Sequence, residues 1–435
     1  MDPLRIAPGV TLTAIPTDRF QTNYLAMNFL LPLSPETAAQ NALVPRVLRR
    51  GCRAWPTLAA LTERLQNLYN ASLGGMTPGR IGEVQLLRQE LWALDDSVVP
   101  GGEDLLGGTL SLLRDLWFSP LLADGAFRTD YTQSEKRSLT DAIRAKINNK
   151  NAYAALRCRQ ILCEGEAYGT GELGDEAAVA AASPADVYAA YRNIVQRAPC
   201  EIFYVGRGDV GRVADVLSEA FASVPRAEAP IPPTAVVRRA DTVRRVTEEE
   251  PVRQGKLSLG FRLGAAEGDG ERAALRMFNE IFGGSPVSKL FMNVREKMSL
   301  CYYCSSSMDA LKGVLFVHSG IENEKREIAE EAILTQLDEI RAGRITDEEL
   351  EAARRSLISS LRQMDDAPNP RPSWLLARRV AGRPLTVEEE AAQIAAVRRE
   401  DVVRLAQNVT LGAVYFLRGA LADAAAGEDE EEEDA

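Results

Sequence analysis

Apolar residues recur along the chain in two rhythms. Continuous or alternating runs predict strands at 23–33 (NYLAMNFLLPL), 81–91 (IGEVQLLRQEL) and 200–209 (CEIFYVGRGD). Apolar positions spaced by three and four predict helices at 57–73, 105–122, 183–195 and 209–224. The same spacing predicts one long helix from Arg128 to Cys163. QNALVPRVLRRG (40–51) also reads as a helix, with Leu43, Val44, Val47 and Leu48 on one face and a glycine stop at Gly51. Pro45 has no N–H and clashes with the preceding turn, so it belongs in a first turn, which makes Asn41 the expected N-cap.

A proline-rich run, AEAPIPPTAVVRR, interrupts the pattern, and after it the order begins again. GKLSLGFRLGA (255–265) matches the strand at 23–33, and ERAALRMFNEIFGG (271–284) matches the helix that ends at Gly51. Long helices are predicted at 323–343 and 346–364. ADVYAAYRNIVQRAPCEIFYVG (185–206) and REDVVRLAQNVTLGAVYFLRG (399–419) share an Asp-Val helix start, an asparagine seven residues after the aspartate, and a following strand that ends in glycine. The repeat predicts two homologous domains, 1–225 and 246–424, joined by a linker at 226–245. Runs of strands broken by runs of helices predict an α+β fold in which each domain is a mostly antiparallel sheet with helices on one side.

Composition narrows the function. The net charge is −11, and GEDEEEEDA at the C-terminus carries seven of the acids, so 425–435 reads as a disordered acidic tail. The rest of the chain is still acidic, which argues against nucleic acid as a partner. No apolar run is long enough to cross a membrane, and MDPLRIAPGV lacks a leader pattern, so the expected compartment is the cytoplasm, with no membrane partner. Six scattered cysteines fit reduced thiols there. Cys301 and Cys304 form a single C-x-x-C in a strand-like segment and read as structural. There is one histidine, His318, in a predicted strand, so no two-histidine zinc site can form within this chain. No phosphate-binding loop or nucleophile elbow is present.

GGSPVSKLFMNVREKMSLCYY (283–303) is the most distinctive segment: a glycine turn, a short helix with Arg295 and Glu296, then a Leu-Cys-Tyr strand start. It resembles the C-terminal half of the pitrilysin/insulinase family of zinc peptidases. The strand–helix order, duplication and linker extend the resemblance over nearly the whole chain. In that family an arginine and a tyrosine seven residues apart reach the substrate backbone and the reacting carbonyl, and Arg295 and Tyr302 match them. Both side chains can donate to a peptide oxygen.

The resemblance also gives QNALVPRVLRRG a meaning. Active members carry H-x-x-E-H on this helix, ending five residues before the glycine. The two histidines bind zinc and the glutamate activates the metal-bound water. Those positions here are Ala42, Pro45 and Arg46, none of which can do either job. The third family ligand is a glutamate seven residues after another. Glu135 is present and the ligand position is Ala142.

The resemblance therefore implies a non-catalytic member with no cofactor on this chain. Such members pair with an active, zinc-bearing paralogue. The partner would supply zinc, and this chain would supply the opposite wall of a chamber for peptide or small-protein substrate. A self-dimer is the alternative assembly. Two rival functions stand beside this one: a scaffolding subunit without peptide binding, as in respiratory-complex core subunits, and an independent thiol enzyme using Cys301 or Cys304.

Overall fold

A computed structural model describes residues 3–75 and 77–420. The acidic tail at 425–435 lies outside the described residues. The strands are β1 (Leu4–Ala7), β2 (Val10–Pro16), β3 (Thr22–Pro32), β4 (Ser72–Gly74), β5 (Gly79–Ile81), β6 (Val84–Leu94), β7 (Leu122–Ala123), β8 (Ala126–Phe127), β9 (Cys200–Gly206), β10 (Arg244–Glu250), β11 (Gly255–Arg262), β12 (Cys301–Asp309), β13 (Val314–Ile321) and β14 (Thr410–Gly419). The first-half helices are α1 (Ala38–Leu48), α2 (Leu58–Gln66), α3 (Leu105–Phe118), α4 (Thr129–Arg144), α5 (Lys150–Leu162), α6 (Glu176–Ala181), α7 (Pro184–Arg197) and α8 (Val210–Ala222). The second half adds α9 (Arg272–Asn279), α10 (Arg326–Arg341), α11 (Asp347–Arg362), α12 (Pro370–Val380), α13 (Val387–Ala396) and α14 (Arg399–Asn408).

Two sheets share one topology. In the first, β2-β9-β3-β6-β4 run in that spatial order; in the second, β10-β14-β11-β13-β12 do. The outer pairs β2–β9 and β10–β14 are parallel, and the pairs that follow along each order are antiparallel. The first sheet adds β1 beyond β2, and β5 pairs with β6. This is the predicted α+β class with two mostly antiparallel sheets.

The compact units differ from the contiguous division at 226–245. Unit 1 is Met1–Lys146, Gly165–Ala235 and Leu361–Thr386; unit 2 is Ile147–Glu164, Val236–Ser360 and Val387–Ala435. Each unit thus takes in a helix from the other half of the chain. In unit 1, Phe29 and Leu31 of β3 join the core built with α1 and α3, while the intervening Leu30 packs with Leu376 of α12. Alternate strand residues point to opposite faces, so β3 is buried on both sides. That explains why its sequence is a continuous apolar run instead of an alternation. In unit 2, α5 lies against β11 and β14: a Cβ at Gly260 would come within 3.3 Å of Cys158 Sγ, and one at Gly412 within 2.6 Å of Leu162 Cδ1. The glycines provide the room for that approach. The expectation of helices on one side of each sheet therefore holds for most helices, with one on the other face.

Two helix boundaries are corrected. The run from Arg128 to Cys163 is α4, a 3-10 turn (Ala145–Asn148) and α5, divided where the Asn149 side chain caps Ala152 N–H. Asn41 is not an N-cap. Helix α1 begins at Ala38, after Thr37, because buried Ala38 and Ala39 extend its apolar face, and Asn41 Nδ2 donates to Gln85 Oε1 at 2.9 Å. Pro45 therefore sits inside the helix, where proline typically costs about 3 kcal/mol. Its burial among Leu43, Val44, Val47 and Leu48 offsets that cost.

Candidate functional site

The positions that the resemblance assigns to the metal site, Ala42, Pro45 and Arg46 on α1 and Ala142 on α4, lie in unit 1, where the two helices pack together. Ala42 is wholly buried and joins the apolar core. Arg46 Nη1 reaches Ser138 Oγ of α4 at 3.2 Å, and its Nε, buried, finds no hydrogen-bond partner among the described residues. Four residues after Arg46, just beyond the end of α1, Arg50 Nε donates to Glu135 Oε1 at 2.5 Å and Nη2 to Ser134 Oγ at 2.6 Å. Ser134, Ser138 and Ala142 follow at four-residue intervals, one stripe of α4. Ala142 packs at the edge of the same core.

This arrangement does not fit zinc. Of the positions so assigned, two carry methyl groups, one a guanidinium and one a proline. The one carboxylate that remains, Glu135, is buried and already paired with Arg50. A cation entering here would meet Arg46 and Arg50 before it met a free donor. Arg50 was not singled out by sequence reasoning. The available signal was its spacing, four residues after Arg46.

The pair is structural. Arg50→Ala leaves a buried carboxylate without its guanidinium, and the expected loss is about 2 kcal/mol, below the full value of a buried pair because Arg50 is partly exposed. Glu135→Gln, which keeps an acceptor, is expected to cost about half as much. Urea unfolding of the two variants checks the order.

The sole histidine is equally occupied. His318 lies on β13 with Nδ1 3.0 Å from Ser258 Oγ, stacked on Phe316. Burial pushes its pKa from 6.5 down to about 4. The folded state therefore binds the proton less readily than the unfolded chain. Stability from this group is whole above about 6.5 and is lost as pH falls toward about 4. A loss of about 2 kcal/mol is expected across that window, and the slope should flatten in His318→Gln. Thermal unfolding from pH 7 to pH 4 tests this.

Arg295 and Tyr302 lie in unit 2. After α9 the chain continues in wide helical turns at Glu280–Gly284 and Leu290–Lys297, then enters β12, an edge strand. Arg295 stacks over Phe291 (4.6 Å to the ring centre) and has only a loose ion pair with Glu296 at 3.6 Å. Tyr302 is 65% exposed. It is the extra residue of a β-bulge, since Cys301 pairs with Ile321 and Tyr303 with Gly320. Bulges re-aim side chains, which accounts for a tyrosine directed to solvent beside a buried ladder. Val287, Met292 and Met298 of the same segment are also about half exposed. Cys301 is partly exposed and Cys304 is buried.

The chain is similar to several known proteins. Residues 181–357 match the family description Peptidase M16 inactive domain. The probable inactive metalloprotease YmfF of Bacillus subtilis (strain 168) is 30% identical over 414 residues, spanning 94% of this chain and 96% of that protein. The crystal structure of a conserved protein from Enterococcus faecalis V583 superposes with a TM-score of 0.86 at 28% identity, covering 96% of this chain and 98% of that one. A peptidase M16 inactive domain structure from Pseudomonas fluorescens shares the fold, with a TM-score of 0.78 at 20% identity over 95% and 97% of the two chains. The chain belongs to the M16, or pitrilysin, family as one of its non-catalytic members.

Proposed function

We propose that this protein is the non-catalytic subunit of a two-subunit peptidase. It pairs with an active, zinc-bearing paralogue, forms one wall of the chamber, and helps to hold a peptide or small-protein substrate through Arg295 and Tyr302. The observation that carries the reading is the contrast between two places. On this reading the former metal position holds methyl groups and a guanidinium, with the Arg50–Glu135 ion pair beside it. The segment from Val287 to Tyr302 leaves four large apolar or aromatic side chains exposed around a loosely held guanidinium. A cluster of that kind marks a contact surface. Loss of catalysis with retention of a contact surface suits a subunit better than an enzyme. Six free cysteines support the cytoplasm as its compartment, and among the described residues no helix is long and apolar enough to cross a membrane.

The test is reconstitution with a homologue that has an intact H-x-x-E-H motif. The expected result is an equimolar complex with zinc on the homologue alone and peptide cleavage only when both chains are present. Stoichiometric zinc on the isolated chain, with cleavage abolished by a chelator, would overturn the reading. A complex that forms but gains no activity from this chain would favour the scaffolding role.

A further inference from the structure

Cys301 and Cys304 are three residues apart on β12, a spacing that places side chains on opposite faces of a regular strand. The bulge at Tyr302 changes this. Cys301 lies opposite Ile321 and Cys304 opposite Ser319, so the partner strand advances two residues while β12 advances three. Both sulfurs therefore share one face. Two residues of rise separate the positions by about 6.7 Å, at the upper edge of the roughly 4.4–6.8 Å that a disulfide spans between Cα atoms.

The surroundings are built for a reactive thiol. Cys301 is partly exposed and Cys304 is buried. Ser319 is wholly buried directly opposite Cys304 in the ladder, and its hydroxyl has no hydrogen-bond partner among the described residues. The neighbouring Cys304 thiol, then the Ser319 hydroxyl and the charge of Arg295, favour the ionised form of Cys301 and hold its thiol below the ordinary range, against the opposing effect of burial. The same contact and its own burial push Cys304 up. Cys301 is thus the sulfur that ionises first. His318 points to the other face of β13 from Ser319, so activation comes from donors and not from a base.

We propose that Cys301 and Cys304 form a hydroperoxide-reactive pair, with Cys301 the nucleophile and Cys304 the resolving thiol. The Cys301 thiolate attacks one oxygen of hydrogen peroxide; an S–O bond forms, the O–O bond breaks, and the departing hydroxide takes a proton to become water. The sulfur is oxidised to a sulfenic acid and the peroxide is reduced. Cys304 then gives up its proton and attacks the Cys301 sulfur. The S–S bond forms, the S–O bond breaks, and a second water leaves. Two thiols and one hydrogen peroxide become one disulfide and two waters. The site requires neither a partner subunit nor peptide binding.

The experiment uses the reduced full chain, treated with hydrogen peroxide and then alkylated with N-ethylmaleimide under denaturing conditions. Peptide mass mapping is expected to show the segment holding Cys301 and Cys304 lighter by two hydrogens and free of maleimide, with the other four cysteines alkylated. Dithiothreitol should restore both thiols. In Cys304→Ser, dimedone should trap a sulfenic acid at Cys301, formed at least roughly tenfold faster than at any other cysteine of the chain. Ser319→Ala should slow that step without unfolding the chain. Wild-type protein with both cysteines still alkylated after peroxide, or with Cys301 driven to sulfinic acid beside a free Cys304, would overturn the proposal.

Discussion

Replacing Glu390 with alanine is expected to destabilise unit 2 by about 3–5 kcal/mol, the range for stranding buried charge by removing its partner. Glu390 is wholly buried on α13. Its Oε1 accepts from Arg272 Nε at 2.9 Å and from Arg276 Nη1 at 2.5 Å, both on α9, and Arg272 Nη1 also reaches buried Glu267 at 3.1 Å. Burial pulls the Arg272 pKa down and the Glu390 charge pushes it back up, so this arginine depends on its carboxylate to stay ionised at low cost. Without Glu390, two mostly buried guanidiniums are left with Glu267 nearby. Glu390→Gln keeps an acceptor of the same shape and should lose roughly half as much. All four tryptophans, Trp55, Trp92, Trp117 and Trp374, are in unit 1. The readout is therefore hydrogen exchange in α9 and α13 against urea. A change below about 1 kcal/mol would mean that the arginines find other partners or water.

That cluster shows where sequence reasoning stops. Arg272 and Arg276 are visible as an i, i+4 pair, but the carboxylate that joins them lies more than a hundred residues away. Nothing local records that distance. The same holds for α5: its segment reads as helix, while the sheet it covers is set by complementary surfaces such as Gly260 and Gly412 beneath Leu162. The duplication was legible because repeated segments keep their own punctuation. The Ser183–Asp186 capping box and the Asp401 contact with the Arg398 amide mark corresponding helix starts in the two halves.

That no two-histidine zinc centre forms within this chain was legible by counting. One histidine cannot make a two-histidine centre, and that argument needed no coordinates. What replaced the ligands was less legible. Pro45 suggested a late helix start because a proline inside a helix is costly, yet buried Ala38 and Ala39 draw the helix back by a further turn. Tertiary burial outweighed local propensity there. The bulge at Tyr302 was hidden for the opposite reason. One extra residue leaves no compositional trace, yet it turns a tyrosine outward and two cysteines to one face.

In the reconstituted peptidase, Arg295→Ala is expected to lower kcat/KM by about a hundredfold, and Tyr302→Phe by about tenfold, the scale for removing one preorganised donor to a reacting carbonyl or its neighbour. Neither change should move the stability of this chain by more than about 0.5 kcal/mol, because both side chains are substantially exposed. The two predictions have to be read together. Arg295 is steadied by Phe291 and only loosely by Glu296, so its donors remain available to a peptide oxygen. Tyr302 presents its hydroxyl from a strand edge whose backbone fixes its base. If these groups bind the ground state and the transition state alike, KM rises and kcat holds. If they act on the developing oxyanion, kcat falls. Either split supports substrate contact by a chain that has no catalytic centre of its own. An unchanged kcat/KM with the complex intact would remove Arg295 and Tyr302 from the substrate path and leave the exposed segment as a surface for subunit contact alone.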